Sequence, residues 1–223
     1  MKYPIVLLAL CSAFPLASQA ALITSNSVSS PVVITFDQFS GTGYNFTFGP
    51  VQVGGLVGMD VIFTSSNDAV LGQGSYGLAS NGNWFYGATS NGAYVGLDTN
   101  TGYVRFMFNG FTVQSVSAFL NYVPDSGYGP MYIDALDSSG NVLESYEINS
   151  SAPISTPGGS DQGAYRGITR GTADIGGFQA RNAYVVLDNL TLGGAVVSEI
   201  PEPGTLGLAA FGLLLLPLLR RRN

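Results

Sequence analysis

Histidine is absent from all 223 residues, and lysine and cysteine occur once each, at Lys2 and Cys11. Both single residues fall in a leader-like start. Lys2 precedes a run from Ile5 to Leu16 that is apolar apart from Ser12, and Ser18 and Ala20 then supply small side chains. A charged start, an apolar middle too short to span a bilayer and small residues before the junction predict signal-peptidase cleavage between Ala20 and Ala21. Residues 1–20 are thus the expected leader. Cys11 does not suit a lipoprotein cut, because Leu10 stands where that enzyme needs a small residue.

Once the leader is gone, the body has no histidine, lysine or cysteine. That excludes a Ser-His-Asp triad, a Cys-His pair, a Ser-Lys dyad and a lysine Schiff base. It equally excludes zinc held by histidine or cysteine, and it excludes disulfides. A body of roughly 175 residues buries enough apolar surface to fold as one domain without such cross-links. Positive charge is scarce as well. Between Ala21 and Ser198 twelve acidic residues face only Arg105, Arg166, Arg170 and Arg181. An acidic body without lysine repels phosphate backbones, so nucleic acid is not an expected partner. Carboxylate chemistry is what remains, and glycosidases need two acids at a defined separation. Glu144 and Glu147 lie three apart on an expected strand and face opposite sides, as do Asp134 and Asp137. A pair formed across strands stays open; solvated surface carboxylates are the plainer reading.

What the body has in quantity is β-forming sequence. Val, Ile, Tyr, Phe and Thr gather in short stretches at 32–39, 44–48, 57–63, 84–88, 93–97, 103–109, 113–123, 131–136, 142–148 and 183–192. Such residues suit a pleated, half-buried surface. Asn81-Gly82, Asn91-Gly92, Thr101-Gly102, Asn109-Gly110 and the run from Asp137 to Asn141 punctuate them as hairpin turns. Along 103–108 the even positions form one apolar face and the odd positions the other. No stretch of the body carries a sustained helical period. The expected fold is all-β, an antiparallel β-sandwich of the jelly-roll kind over residues 21–193. Residues 150–177, broken by Pro153, Pro157 and seven glycines, read as a long surface excursion. Residues 194–199 read as a linker.

Residues 200–223 form a separate tail. Pro201-Glu202-Pro203 leads into an uncharged run from Gly204 to Leu219, closed by Arg220, Arg221 and Arg222. An apolar helix of that length reaches roughly 24 Å, short of the ~30 Å hydrocarbon core. Snorkelling arginines and local thinning absorb the deficit, and the positive end faces the cytoplasm. Pro201 and Pro203 stop the helix from running through the motif, which Glu202 keeps in water. This order of elements resembles the PEP-CTERM sorting signal of exopolysaccharide-producing Gram-negative bacteria. The resemblance covers about the last 24 residues, with Gly204-Thr205 departing slightly from the commoner Ala-Thr or Ala-Ser. It implies recognition by exosortase, a membrane transpeptidase-like enzyme that removes the helix near the motif.

The body is also similar to galactose-binding-like jelly rolls that travel with such tails. The similarity rests on Ile34-Thr35-Phe36-Asp37, Gly110 to Ser117, Ile133 to Val142 and the closing Val186-Leu187-Asp188-Asn189-Leu190-Thr191-Leu192. In those folds an acid of the closing strand often joins N-terminal residues around a structural calcium ion. Asp188 matches that position and Asp37 is its candidate partner. An exported protein meets calcium at concentrations that fill even modest sites. The plainer alternative is that Asp188-Asn189 ends or kinks the strand.

For extracellular polysaccharide, the candidate contacts are Trp84 and Tyr86, between two Asn-Gly turns, and Tyr122 and Tyr128, flanking Pro124-Asp125-Ser126-Gly127. Flat aromatic rings stack on sugar faces, although strand aromatics more often fill a core. Taken together, the expectation is a non-enzymatic exported sandwich, processed by signal peptidase and exosortase and held transiently in the inner membrane by its tail. Its role at the outer surface or in the matrix is structural or interactive; the alternatives are a carbohydrate-binding module and a carboxylate-dependent glycosidase.

Overall fold

The computed structural model describes residues 20–41, 46–67, 69–85, 92–194 and 196–197. The leader up to residue 19, Tyr86 and the tail residues Pro201, Glu202, Pro203, Arg220, Arg221 and Arg222 lie outside the described residues. Among the described residues no helix is long and apolar enough to cross a membrane.

Strands dominate in the order the composition predicts. The first half contains β1 (Ala21–Ile23), β2 (Val32–Ile34), β3 (Phe46–Thr47), β4 (Val51–Gln52), β5 (Val61–Ser65) and β6 (Ala69–Gly72). There follow β7 (Ser75–Gly77), β8 (Asn83–Phe85), β9 (Tyr94–Leu97), β10 (Tyr103–Phe108), β11 (Phe111–Thr112) and β12 (Ser115–Asn121). The chain closes with β13 (Tyr132–Leu136), β14 (Val142–Glu147), a single helical turn α1 (Ile148–Ser151), β15 (Ala164–Thr169), β16 (Gly177–Arg181), β17 (Val186–Gly193) and β18 (Val196–Val197).

Two large antiparallel sheets face each other. One runs β1-β15-β12-β17-β9-β6-β3, with β2 also pairing with β17; the other runs β14-β13-β16-β10-β5-β4. Their inner faces share one core. On β10, Val104, Phe106 and Phe108 point inward while Tyr103, Arg105 and Met107 point out, as the alternation predicts. Phe106 meets Phe63 and Phe36, each with ring centroids 5.7 Å away. Val116, Leu187, Leu190 and Leu192 answer from the opposite sheet, all fully buried.

The larger sheet is covered on its outer face too. The β7–β8 hairpin lies over β6 and β9, so Tyr76, Leu78 and Trp84 form a second apolar cluster with Val70, Tyr94, Val123 and Val186. That cover explains why every residue of β6 and β9 is buried.

Three expectations need correction. The segment 150–177 is not one surface excursion: β15 lies within it, paired on both sides, between the edge strand β1 and β12 in the larger sheet. Gly167, which reads as a strand breaker, is there for close approach. A Cβ on it would overlap the Val116 carbonyl oxygen and the Ser117 Cβ. Asp134 is no solvated carboxylate. It is 1% exposed and accepts hydrogen bonds from Ser145 Oγ (2.6 Å), Gln179 Nε2 (2.8 Å) and Arg181 Nε (2.9 Å). In the stretch read as a linker, Val196 and Val197 pair with Thr112 and Phe111.

Candidate functional site

The site with the most chemistry lies in a gap in the pairing of β17. On one side, β17 pairs with β9 through Val186 and Leu187 and with β2 through Leu190, Thr191 and Leu192. Asp188 and Asn189 fall between the two partners. They also form a bulge on the other side, where the register with β12 slips by one residue between Ser117–Thr191 and Phe119–Asp188. Asn189 takes the left-handed conformation at φ 52°, which asparagine tolerates better than most residues. Its backbone N–H donates to Asp188 Oδ1 at 2.6 Å and its side-chain amide to Oδ2 at 3.3 Å. The expected kink and the candidate ligand are thus one feature.

Asp37 arrives from β2. Ile34 pairs with Leu190, so the chain leaving β2 runs beside the gap. Phe36 then turns at φ 58°, held there by a ring buried in the core, and Asp37 opens a 3-10 turn with its carboxylate exposed. Thr35 Oγ1 donates to Asp37 Oδ2 at 2.7 Å. The two acids converge beside Gly92. A Cβ built on Gly92 would lie 2.8 Å from Asp37 Oδ1 and 3.9 Å from Asp188 Oδ2, so a side chain there would fill the space they share.

Burial, and next the negative charge of Asp37, push the half-buried Asp188 carboxyl up to about 7, against the pull of the Asn189 N–H. Two carboxylates converging on a space left open by a glycine suit a hard divalent cation. Calcium takes about six to eight oxygens, so carbonyls and water would complete such a set. The acids number two: among the described residues no group of three or more histidine, cysteine, aspartate or glutamate residues could hold a metal. A carboxyl held protonated near neutrality beside a second is also the split that glycosidases use.

The described aromatic candidates, Trp84, Tyr122 and Tyr128, are not brought together as a platform. Trp84 is 3% exposed; its indole N–H donates to the Gln162 carbonyl at 2.6 Å, and its ring packs against Tyr94 and Phe119. Tyr122 is 1% exposed in the main core. Neither offers a ring face to solvent, because the β7–β8 hairpin turns Trp84 onto the sheet and alternation along the strand turns Tyr122 inward. Tyr128 is the exposed member, edge-on to Tyr184 with centroids 5.6 Å apart. Ala20 and Ala21 stand at the start of β1, where Ala21 is exposed and pairs with Thr169.

Sequence reasoning missed Thr35, Gly92 and Tyr184. Asn91-Gly92 carried a turn signal, yet nothing in it told that the glycine would face two acids. No protein-family model matches the chain, and no curated protein matches it. A solved structure of the K2 cleaved adhesin domain of Lys-gingipain is similar over 73% of this chain and 97% of that one, at 13% identity and a TM-score of 0.36.

Proposed function

We propose that this chain is exported, sorted through its C-terminal tail by an exosortase-type enzyme, and released to the outer surface or exopolysaccharide matrix as a structural or interaction protein. The observation that carries the reading is the tail itself: Pro201-Glu202-Pro203, an uncharged run and three terminal arginines. Two structural facts support it. Among the described residues the first strand starts at Ala21, the residue after the expected cut, and the last paired residue is Val197, shortly before the motif. In this reading the two-sheet body is a jelly roll whose Asp37 and Asp188 hold a structural calcium ion, supported by their convergence beside Gly92.

Intact-mass measurement on protein from the native envelope, with and without its exosortase, tests the sorting. The expected mature form begins at Ala21 and ends near Pro201-Glu202-Pro203 only when the enzyme is present. A mature form retaining residues through Arg222 in the unmodified host overturns the proposal.

A further inference from the structure

We infer that a cavity of about 370 Å³ between Tyr128 and Tyr184 binds one pyranose ring of a neutral polysaccharide. It is lined by Gly77, Ala79, Asn83, Val123, Tyr128 and Tyr184, without a charged residue among them. Its volume lies within the range of about 300–1,000 Å³ typical of small-molecule sites. The inference deepens the proposed function, since glycan contact is what would hold the body in a polysaccharide matrix.

Two features make the cavity more than a surface dimple. The first is its chemistry. Tyr128 is 40% exposed and stands edge-on to Tyr184, so two aromatic rings border one space, as a sugar's apolar face requires. Among the described residues, the Tyr128 and Tyr184 hydroxyls and the exposed Asn83 amide have no hydrogen-bond partner in the protein. They are available to sugar hydroxyls.

The second is the backbone that aims Tyr184. Asn182, Ala183 and Tyr184 are all left-handed, at φ 71°, 54° and 52°. Three such non-glycine residues in a row persist only where neighbours over-determine them. Here the neighbours are visible: the backbone N–H groups of all three donate to the carbonyls of Gly102, Asn100 and Thr99 in turn, at 2.9, 3.1 and 3.0 Å. The Ala183 carbonyl accepts from Val123 N–H at 2.9 Å, and Asn182 Nδ2 donates to the Pro130 carbonyl at 3.2 Å. The turn is thereby tied to the segments on either side of Tyr128. Tyr128 itself belongs to a 3-10 turn (Ser126–Tyr128) capped by Asp125, which accepts from Gly127 N–H at 2.9 Å. Rigid placement of both rings lowers the ordering cost of binding.

The test is calorimetric titration of the purified full chain in detergent with dextran, a galactan and a xylan, with alginate as the acidic control. The expected result is binding of at least one neutral polysaccharide, weakened about tenfold by Tyr128→Ala or by Tyr184→Ala and changed less than about threefold by Tyr128→Phe. Tyr184→Ala risks unfolding the strained turn, so Tyr128→Ala at an unchanged thermal midpoint is the decisive variant. No binding of any neutral polysaccharide overturns the inference, as does binding of alginate alone or an affinity unmoved by Tyr128→Ala. Titration of purified chain does not depend on sorting, and the mass measurement does not depend on glycan, so either reading can fail while the other stands.

Discussion

Asp188→Asn tests the acid pair through stability. An aspartate in the unfolded chain titrates near about 3.9, whereas burial and Asp37 push Asp188 up to about 7 in the folded one. Between these values the folded state holds a proton that the unfolded state has released. Stability therefore falls as pH rises from about 4 to 7 and levels off above, with the contribution fully present below the unfolded value. A gap of about three pH units corresponds to about 4 kcal/mol, and solvent at the half-buried carboxyl trims this to about 2–4 kcal/mol. Asparagine keeps the shape and removes the titration. In chelator at pH 8 the variant is expected to be more stable than the native chain by that amount, or about 4–16 °C in Tm for a domain of this size. At pH 4 the two should coincide. Added calcium at a hundredfold excess over its Kd should return about 2.7 kcal/mol to the native chain at pH 8 and nothing to the variant. Urea titrations from pH 4 to 8, with and without calcium, measure all three quantities. Parallel profiles for the two chains in chelator would refute the electrostatic reasoning; a native chain indifferent to calcium would refute only the metal.

Two further outcomes follow from buried polar groups. Asp134→Ala leaves Arg181, Gln179 and Ser145 without their shared acceptor, and denaturant unfolding should show a loss of about 3–5 kcal/mol. Arg166 is 8% exposed and donates to the carbonyls of Ala152, Pro153 and Tyr165 at 2.8–3.0 Å, and among the described residues it has no carboxylate partner. Its planar fork spans three acceptors that one ammonium group cannot reach together, so Arg166→Lys should cost about 1–3 kcal/mol and speed proteolysis within 152–163.

Where a residue's role depends on its own strand, the sequence was readable. The alternation of 103–108, the breaks at Asn81-Gly82 and Asn109-Gly110 and the all-β class follow from local rules, because side-chain period and turn chemistry are properties of a few consecutive residues. What was not readable depends on partners distant in sequence. β15 looked like a loop because its glycines matter only against β12. Trp84 could be read either as a sugar platform or as core, because only the folded β7–β8 hairpin shows which face it covers. Asp37 and Asp188 could be paired through a family resemblance, yet Gly92 enters only when β9 and β2 are seen to flank the same edge of β17.

Both candidate sites draw on the same structural device. Of the eight described non-glycine residues at positive φ, five stand at the gap in β17 or on the turn that enters it: Phe36 and Asn189 at the acid pair, and Asn182, Ala183 and Tyr184 beside the tyrosine cavity, which a sixth, Ala79, lines from the β7–β8 side. At about 1–2 kcal/mol per left-handed residue, this strain amounts to about 5–10 kcal/mol, comparable with the whole net stability of a typical domain. Such a load persists only against strong local compensation. The Phe36 ring in the core, the amide bonds of Asn189 to Asp188 and the three carbonyls of 99–102 provide it. Strain relieved at the surface would cost the fold nothing. Its concentration at the entry to β17 and at the gap in its pairing marks this strand as the frame on which the body's two candidate binding sites are built.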